Sequence, residues 1–480
     1  MIRRIVAWTA VAVVAITAIV VAVGAIVYAN ADRSTVGKVA FVRPLAIPPL
    51  LTGRGEHGRR IYDLTLQTGR TAFAAGKPTE TWGINGAYLG PTLRAKRGDR
   101  VAMRVRNALP QPTTLHWHGM HLPAAADGGP HQPIARGATW SPEWTIEQGA
   151  ATLWYHPHPE GATADQVYRG LAGMFIVDDP AVDRLALPHR YGIDDIPLIV
   201  QDKRLHDDGS LDLGSGPISP TGRLGDTILV NGTPGAYLAV HDERVRLRIL
   251  NASDARIYNV AFADGRPFQL IATDGGLLVQ PQTLRHIQLS PGERAEIIAS
   301  LRPGERVVLR SLEPELGANF LDRRFAGGDD SFDMLDLRAG RSLRASPPVP
   351  RQLTPEPRVA RATATRRFRL GGTSINGRDM DMERIDALVA RAATEIWEVT
   401  NGSGRPHNFH VHGVTFRVLG AAQPALTGPK DTVYVPPGDT VRLLVRLPGY
   451  ADEHAPYMFH CHVLRHEDSG MMGQFLATDP

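Results

Sequence analysis

The chain of 480 residues reads as an all-β protein of sandwich or barrel domains behind one apolar N-terminal segment. Three observations predict this. Short Val/Ile/Leu/Thr runs broken by Gly, Pro and Asn recur throughout, as in Ile61-Tyr62-Asp63-Leu64-Thr65-Leu66. Long helical periodicity is nearly absent after the N-terminus. A turn-and-strand unit also recurs. The pairs Asn85-Gly86, Asn231-Gly232 and Asn376-Gly377 are almost evenly spaced, and each precedes an alternating strand that ends in Asn107, Asn251 or Asn401. Asn-Gly favours tight turns, and even spacing with matching strands predicts three homologous β units.

Composition narrows the function. Hydrophobic content of 43% with 48 glycines fits a globular, turn-rich protein. The net charge of +4 is small for this length, and Lys and Arg never form a run, which argues against nucleic-acid binding. A single cysteine excludes an intramolecular disulfide.

Taken in order, the chain starts with Ile5 to Ala29, which carries no charge and lies between Arg3-Arg4 and Asp32-Arg33. About 20 apolar residues cross a bilayer, and the Arg pair would stay cytoplasmic. Residues 1–31 are expected to be a membrane anchor. Ala29-Asn30-Ala31 also has the small-x-small form of a signal-peptidase site, so a cleaved signal is the alternative. The Arg pair also allows a twin-arginine address. In either case the body is exported, to the periplasm or its equivalent, and is either membrane-anchored or secreted.

Arg43 to Pro49 is a Pro-containing linker, and three units follow at 45–180, 181–345 and 346–480. The first carries His116 and His118, nine and eleven residues after Asn107, and then His156 and His158. The same offsets after Asn401 give His410 and His412. After Asn251 they give Val260 and Phe262, so the middle unit is read as a metal-free spacer. Arg338 to Arg361 reads as a long crossover into the third unit. Arg323 to Asp330 reads as a solvated polar turn.

The third unit holds the stretch around which the chain is organised. In a strand, side chains alternate between faces. His460 and His462 therefore point one way and Cys461, the lone cysteine, points the other. Cys461, His466 and Met471, with His407 upstream, have the sulfur and nitrogen donors of a blue copper site with a weak axial methionine. Four His-x-His pairs remain, namely His116/His118, His156/His158, His410/His412 and His460/His462. Three metal ions suit eight imidazoles. Imidazole serves zinc as well as copper, but a zinc protein would leave the cysteine-methionine site without a purpose.

These four motifs, in this order from about Arg59 to Pro480, resemble those of the three-domain multicopper oxidases, the laccase and bacterial copper-efflux oxidase family. The resemblance implies three cupredoxin-like Greek-key β-sandwich domains and four copper ions. His407, Cys461, His466 and axial Met471 would hold the type 1 copper. His116 and His410 would hold the type 2 copper, and His118, His156, His158, His412, His460 and His462 the type 3 pair. It further implies one-electron oxidation of phenols, aromatic amines or similar donors at the type 1 copper. Dioxygen would be reduced by four electrons to water at the trinuclear cluster.

Asp127, before Gly128-Gly129, and Glu467, after His466, match the family's acidic positions and would orient water and deliver protons. A turn residue and a solvated loop charge are the plainer readings of these two. The methionine-rich insertion of copper-efflux oxidases is missing, and Met380 and Met382, which could form a residual cuprous site, are read first as core or loop packing. Oxidation of Cu(I) in copper tolerance therefore stands as an alternative. A copper-free structural role in the cell envelope is another. His121 and His131 lie near the first pair and could support its ligands, but are expected in solvated loops.

Overall fold

Strands dominate the chain and build three pairs of sheets in succession along it. The computed structural model describes residues 2–31, 33–74, 76–214, 221–357, 360–421 and 423–479. The flanking charge read at Asp32, and residues 358–359 of the expected crossover, lie outside the described residues. Met1 and Pro480 lie outside them as well.

In the first pair, the sheet of Arg59–Ala74, Lys77–Ile84 and Arg100–Asn107 packs on that of Thr92–Lys96, Ala151–Tyr155 and Gly173–Asp178. Leu64, Val105, Trp117 and Phe175 share their core. The middle pair is larger. A seven-stranded sheet including Asp195–Lys203, Arg244–Asn251 and Arg294–Ser300 packs on a six-stranded one including Ala236–Asp242, Tyr258–Phe262 and Phe332–Arg344. Val260 and Phe262, which occupy the positions of histidines elsewhere, are buried in that middle core. Two five-stranded sheets form the last pair around Trp397, Phe409, Val445 and Phe475.

The sequence repeat has a physical basis that recurs three times. Asn85, Asn231 and Asn376 adopt φ of 56°, 50° and 55°, the left-handed region that Asn tolerates better than most residues. Each Asn Oδ1 accepts a 2.7 Å hydrogen bond from a backbone N–H of the preceding strand, at Thr65, Ile199 and Arg369 respectively. That strand then runs parallel to the one ending in the second Asn, with Leu66 opposite Asn107, Val200 opposite Asn251 and Leu370 opposite Asn401. Each second Asn donates from Nδ2 to two backbone carbonyls. The acceptors are Gln111 and Ile134, then Arg256 and Leu289, then Arg405 and Val435. Buried Asn side chains thus tie the strand end to the loop that follows it. In the first and third units that loop delivers the histidines.

Two local expectations change. Arg338 to Arg344 belong to the strand Phe332–Arg344 rather than to a crossover. The polar turn at Arg323 to Asp330 begins inside a short helix, Phe320–Phe325, because Asn319 Oδ1 caps the backbone N–H groups of Leu321 and Asp322 at 3.0 Å each. At the N-terminus, Ile2–Ala29 is a single helix. Its Arg4–Ala29 stretch is long and apolar enough to cross a membrane.

Candidate metal centre

Strand pairing brings together histidines far apart in sequence. His407–Val411 pairs with Tyr457–His460 so that His410 lies opposite His460. An isolated bridge sets His116 opposite His156. All eight histidines of the four pairs are buried, with their rings between the first and last units.

The rings are oriented by what their outer nitrogens touch. His116 Nδ1 donates to Asp127 O at 3.0 Å, His156 Nδ1 to Pro157 O at 2.7 Å and His410 Nδ1 to Asp431 O at 2.8 Å. His412 Nδ1 donates to Asp127 Oδ2 at 2.6 Å. His460 Nδ1 faces Cys461 O and Glu467 Oε2, each at 3.1 Å, and His158 Nδ1 lies 3.3 Å from Glu467 Oε1. A proton held at Nδ1 leaves the Nε2 lone pair facing inward. His118 is turned the other way. Its Nε2 faces Asp431 Oδ1 and Thr432 Oγ1 at 3.1 Å each, which leaves Nδ1 inward.

The inward nitrogens are the test of whether metal fits. His412 and His460 Nε2 stand 3.1 Å apart, His158 and His460 Nε2 3.2 Å, and His156 and His462 Nε2 3.4 Å. His116 Nε2, His118 Nδ1 and His410 Nε2 are buried without a hydrogen-bond partner. Burial, followed by the neighbouring rings, holds His118, His156, His410 and His412 well below the usual imidazole range. Burial takes His158 and His462 down to about 3, although Glu467 opposes it. Inward lone pairs that face one another at these spacings would be satisfied by a shared cation. Ligand atoms group as His158/His412/His460, His116/His118/His156 and His116/His410/His412.

The sulfur site lies on the other side of Cys461. Its Sγ is 3.6 Å from His407 Nδ1 and 3.7 Å from His466 Nδ1, spacings that let one ion touch all three. Met471 is buried in the same apolar cluster, and its carbonyl accepts from Cys461 N at 3.1 Å. Burial pushes the Cys461 thiol up to about 12 and holds His407 at about 2. Binding a soft cation would displace the thiol proton. Both donor sets therefore fit copper.

The multicopper oxidase family matches residues 65–182 and 344–480. The multicopper oxidase mco of Staphylococcus haemolyticus is 35% identical over 441 residues, covering 89% of this chain and 90% of that protein. The chain belongs to the multicopper oxidases. The cell division protein FtsP of Xenorhabdus nematophila is also similar, at 37% identity over 449 residues, covering 90% of this chain and 92% of that one. Among solved structures, the laccase-like multicopper oxidase CueO from Ochrobactrum sp. superposes with a TM-score of 0.82 at 35% identity, covering 91% of this chain and all of that one. The sandwiches are thus the cupredoxin-like fold of this oxidase family.

Sequence reasoning missed three residues around the oxidase's cluster. Asp431, beside His118 and His410, is bound bidentately by Arg294 of the middle unit at 2.7 and 2.6 Å. Asn408 Oδ1 accepts from His462 N at 2.6 Å, while Asn408 Nδ2 donates to Ser290 Oγ and Pro291 O. The middle unit is therefore more than a spacer, because its side chains and loops brace the ligands. Asn408 follows His407 directly, and Asp431 lies opposite the His410 strand. Only Asn408 carried a sequence signal, its adjacency to His407. His121 and His131 bond Thr415 Oγ1 and Gln474 Oε1, each at 2.7 Å, and neither is among the grouped ligand atoms.

Proposed function

We propose that the chain is a laccase-like oxidase with four copper ions. It would couple one-electron oxidation of phenols, aromatic amines or similar donors to reduction of dioxygen to two waters. Four donors each give up one electron, and four protons complete the balance. One observation supports this best. Cys461 Sγ faces His407 and His466, while its chain neighbours His460 and His462 face the imidazole cluster. A single residue thus joins the two sites covalently. Copper, when bound, supplies one-electron chemistry by cycling between two oxidation states.

The ligand sets would be those the sequence suggests. His407, Cys461, His466 and Met471 would form the type 1 site, and His116 with His410 the type 2 site. The remaining six histidines would serve the type 3 pair. Asp127 fixes the His412 tautomer through Oδ2, and its Oδ1, buried without a hydrogen-bond partner, is free to take a water proton. Glu467 braces His158 and His460 and is the matching acid on the other side. A cavity of about 600 Å³ between the middle and last units, lined by His286, Gln288, Tyr434, Pro436 and Asp439, reaches the strand that pairs with His407. It would seat an aromatic donor with polar groups for its hydroxyl. We take the Ile2–Ala29 helix as a retained anchor for an exported body.

Two other readings have support of their own. Met380 N donates to Gly470 O, which brings the Met380–Met382 stretch beside Met471 and keeps cuprous ion as a second donor. The similarity to the cell division protein FtsP supports a role in cell division, and a copper-free structural protein is the form that reading would take. Against this, each buried ring nitrogen left unsatisfied costs about 1–3 kcal/mol, which a metal-free protein would bear to no purpose.

Copper analysis with visible and EPR spectra, followed by oxygen uptake with a phenol and with cuprous ion, tests the proposal. Blue protein with about four coppers per chain that consumes one dioxygen per four one-electron donors is expected. Colourless protein that takes up no copper would overturn it.

A further inference from the structure

We infer that the helix Phe320–Phe325 is a membrane-contacting foot, with Phe320 and Leu321 seated in the interfacial layer of the bilayer that the Ile2–Ala29 helix enters. This rests on the reading of that helix as a retained anchor. The end of the anchor is fixed to the foot. The Tyr28 ring lies 6.2 Å from Phe320 and 6.3 Å from Phe325, and the Arg324 guanidinium sits 5.0 Å over it. Arg324 also donates to the last carbonyls of the anchor, at Tyr28 O (2.8 Å) and Ala29 O (3.1 Å).

The chain beyond the anchor is docked at once. Arg33 N donates to Asp330 Oδ1 at 2.7 Å and Gly37 N to Asp333 Oδ2 at 2.8 Å, while Ser34 bridges Ser331. No long leash separates anchor from body, so this face must lie where the anchor leaves the lipid. There the molecule exposes two adjacent large apolar side chains, Phe320 at 69% and Leu321 at 48%. Water is a poor partner for such a pair, whereas aromatic and aliphatic side chains flanked by Arg suit the headgroup boundary. The foot also touches the donor side of the metal centre. A Cβ at Gly404, three residues before His407, would lie 3.3 Å from Asp322 Oδ2. The bilayer is thereby placed beside the edge of the type 1 site.

The test uses the full-length chain in vesicles of phosphatidylcholine and phosphatidylglycerol, with a nitroxide on Leu321→Cys. Cys461 is buried and will not compete for the label. A comparison label goes on Arg106→Cys, exposed on the strand Arg100–Asn107 of the first unit. Relaxation by lipid-soluble oxygen should exceed relaxation by an aqueous nickel chelate at residue 321, with the reverse at residue 106. A residue 321 label as open to the chelate as residue 106 overturns the inference. So does a label immobilised and shielded from both agents, which would mean that a second copy or another protein covers the foot. Intact mass of the native membrane fraction tests the anchor separately, and a chain starting after Ala29 would remove the basis for the foot.

Discussion

Asp127 Oδ2 lies 2.6 Å from His412 Nδ1, so a carboxylate from the first unit fixes the tautomer of an imidazole in the third. The same residue holds His116 through its backbone carbonyl at 3.0 Å. Two rings from opposite ends of the chain thus depend on one turn. Such outer partners of metal ligands are commonly worth about 10–100-fold in metal affinity or activity.

Asp127→Asn is therefore expected to lower oxygen consumption by about 10–100-fold. The amide can offer His412 its Nδ2 donor instead of an acceptor, which favours the wrong tautomer. Steady-state oxygen uptake, with copper content measured on the same samples, separates lost metal from lost turnover. Equal activity at equal copper would sink the role given to this carboxylate.

Cys461→Ser should remove the blue colour and donor oxidation while the imidazole cluster still loads copper. The substitution deletes only the sulfur between His407 and His466. Retention of about three coppers per chain with no visible charge-transfer band is the expected outcome. Surviving turnover with phenols would refute the proposed electron inlet.

Arg294→Met breaks the clamp that holds Asp431 against His118. Arg294 is fully buried, donates to both Asp431 oxygens and also bonds Thr152 O at 2.9 Å, so it ties all three units together. Removing one partner of a buried pair strands the other charge, at a cost of about 3–5 kcal/mol. Denaturant unfolding should show that loss. Asp431→Asn in the Arg294→Met background should recover part of it by removing the stranded carboxylate.

The acid limit of stability is expected to depend on Glu296. Burial works against its ionisation, but Arg246 and Arg248 overcome this and hold the carboxyl at about 2. Because the folded value lies below the unfolded one near 4.5, the stabilisation is fully present above pH 4.5. It is lost as pH falls from there towards 2. A shift of this size corresponds to about 3 kcal/mol. Thermal unfolding of Glu296→Gln should show a lower midpoint at pH 7 and a flatter decline between pH 4.5 and 2 than the parent.

Much of this was legible in the residues. Alternation placed Cys461 opposite to His460 and His462, and the repeat predicted paired histidines in the first and last units and apolar residues at Val260 and Phe262. Those features follow from local geometry, because extended backbone alternates the facing of its side chains, although the strand Tyr457–His460 itself ends before Cys461 and His462. The turn expected from Arg323 to Asp330 was partly misread, since the cap that starts the helix, Asn319, stands four residues before that charged run.

The amino-acid order by itself determined the repeated turn-and-strand units, the donor atoms and the face each donor takes. Packing alone decided which nitrogen of each imidazole looks inward, with His118 reversed by Asp431 and Thr432. It also decided that Arg294 and Asn408 brace the site and that Tyr28 rests on Phe320 and Phe325. The rotation of His118 and His412 depends on Asp431 and Asp127, which lie 313 and 285 residues away in the chain, and no local periodicity encodes such partners.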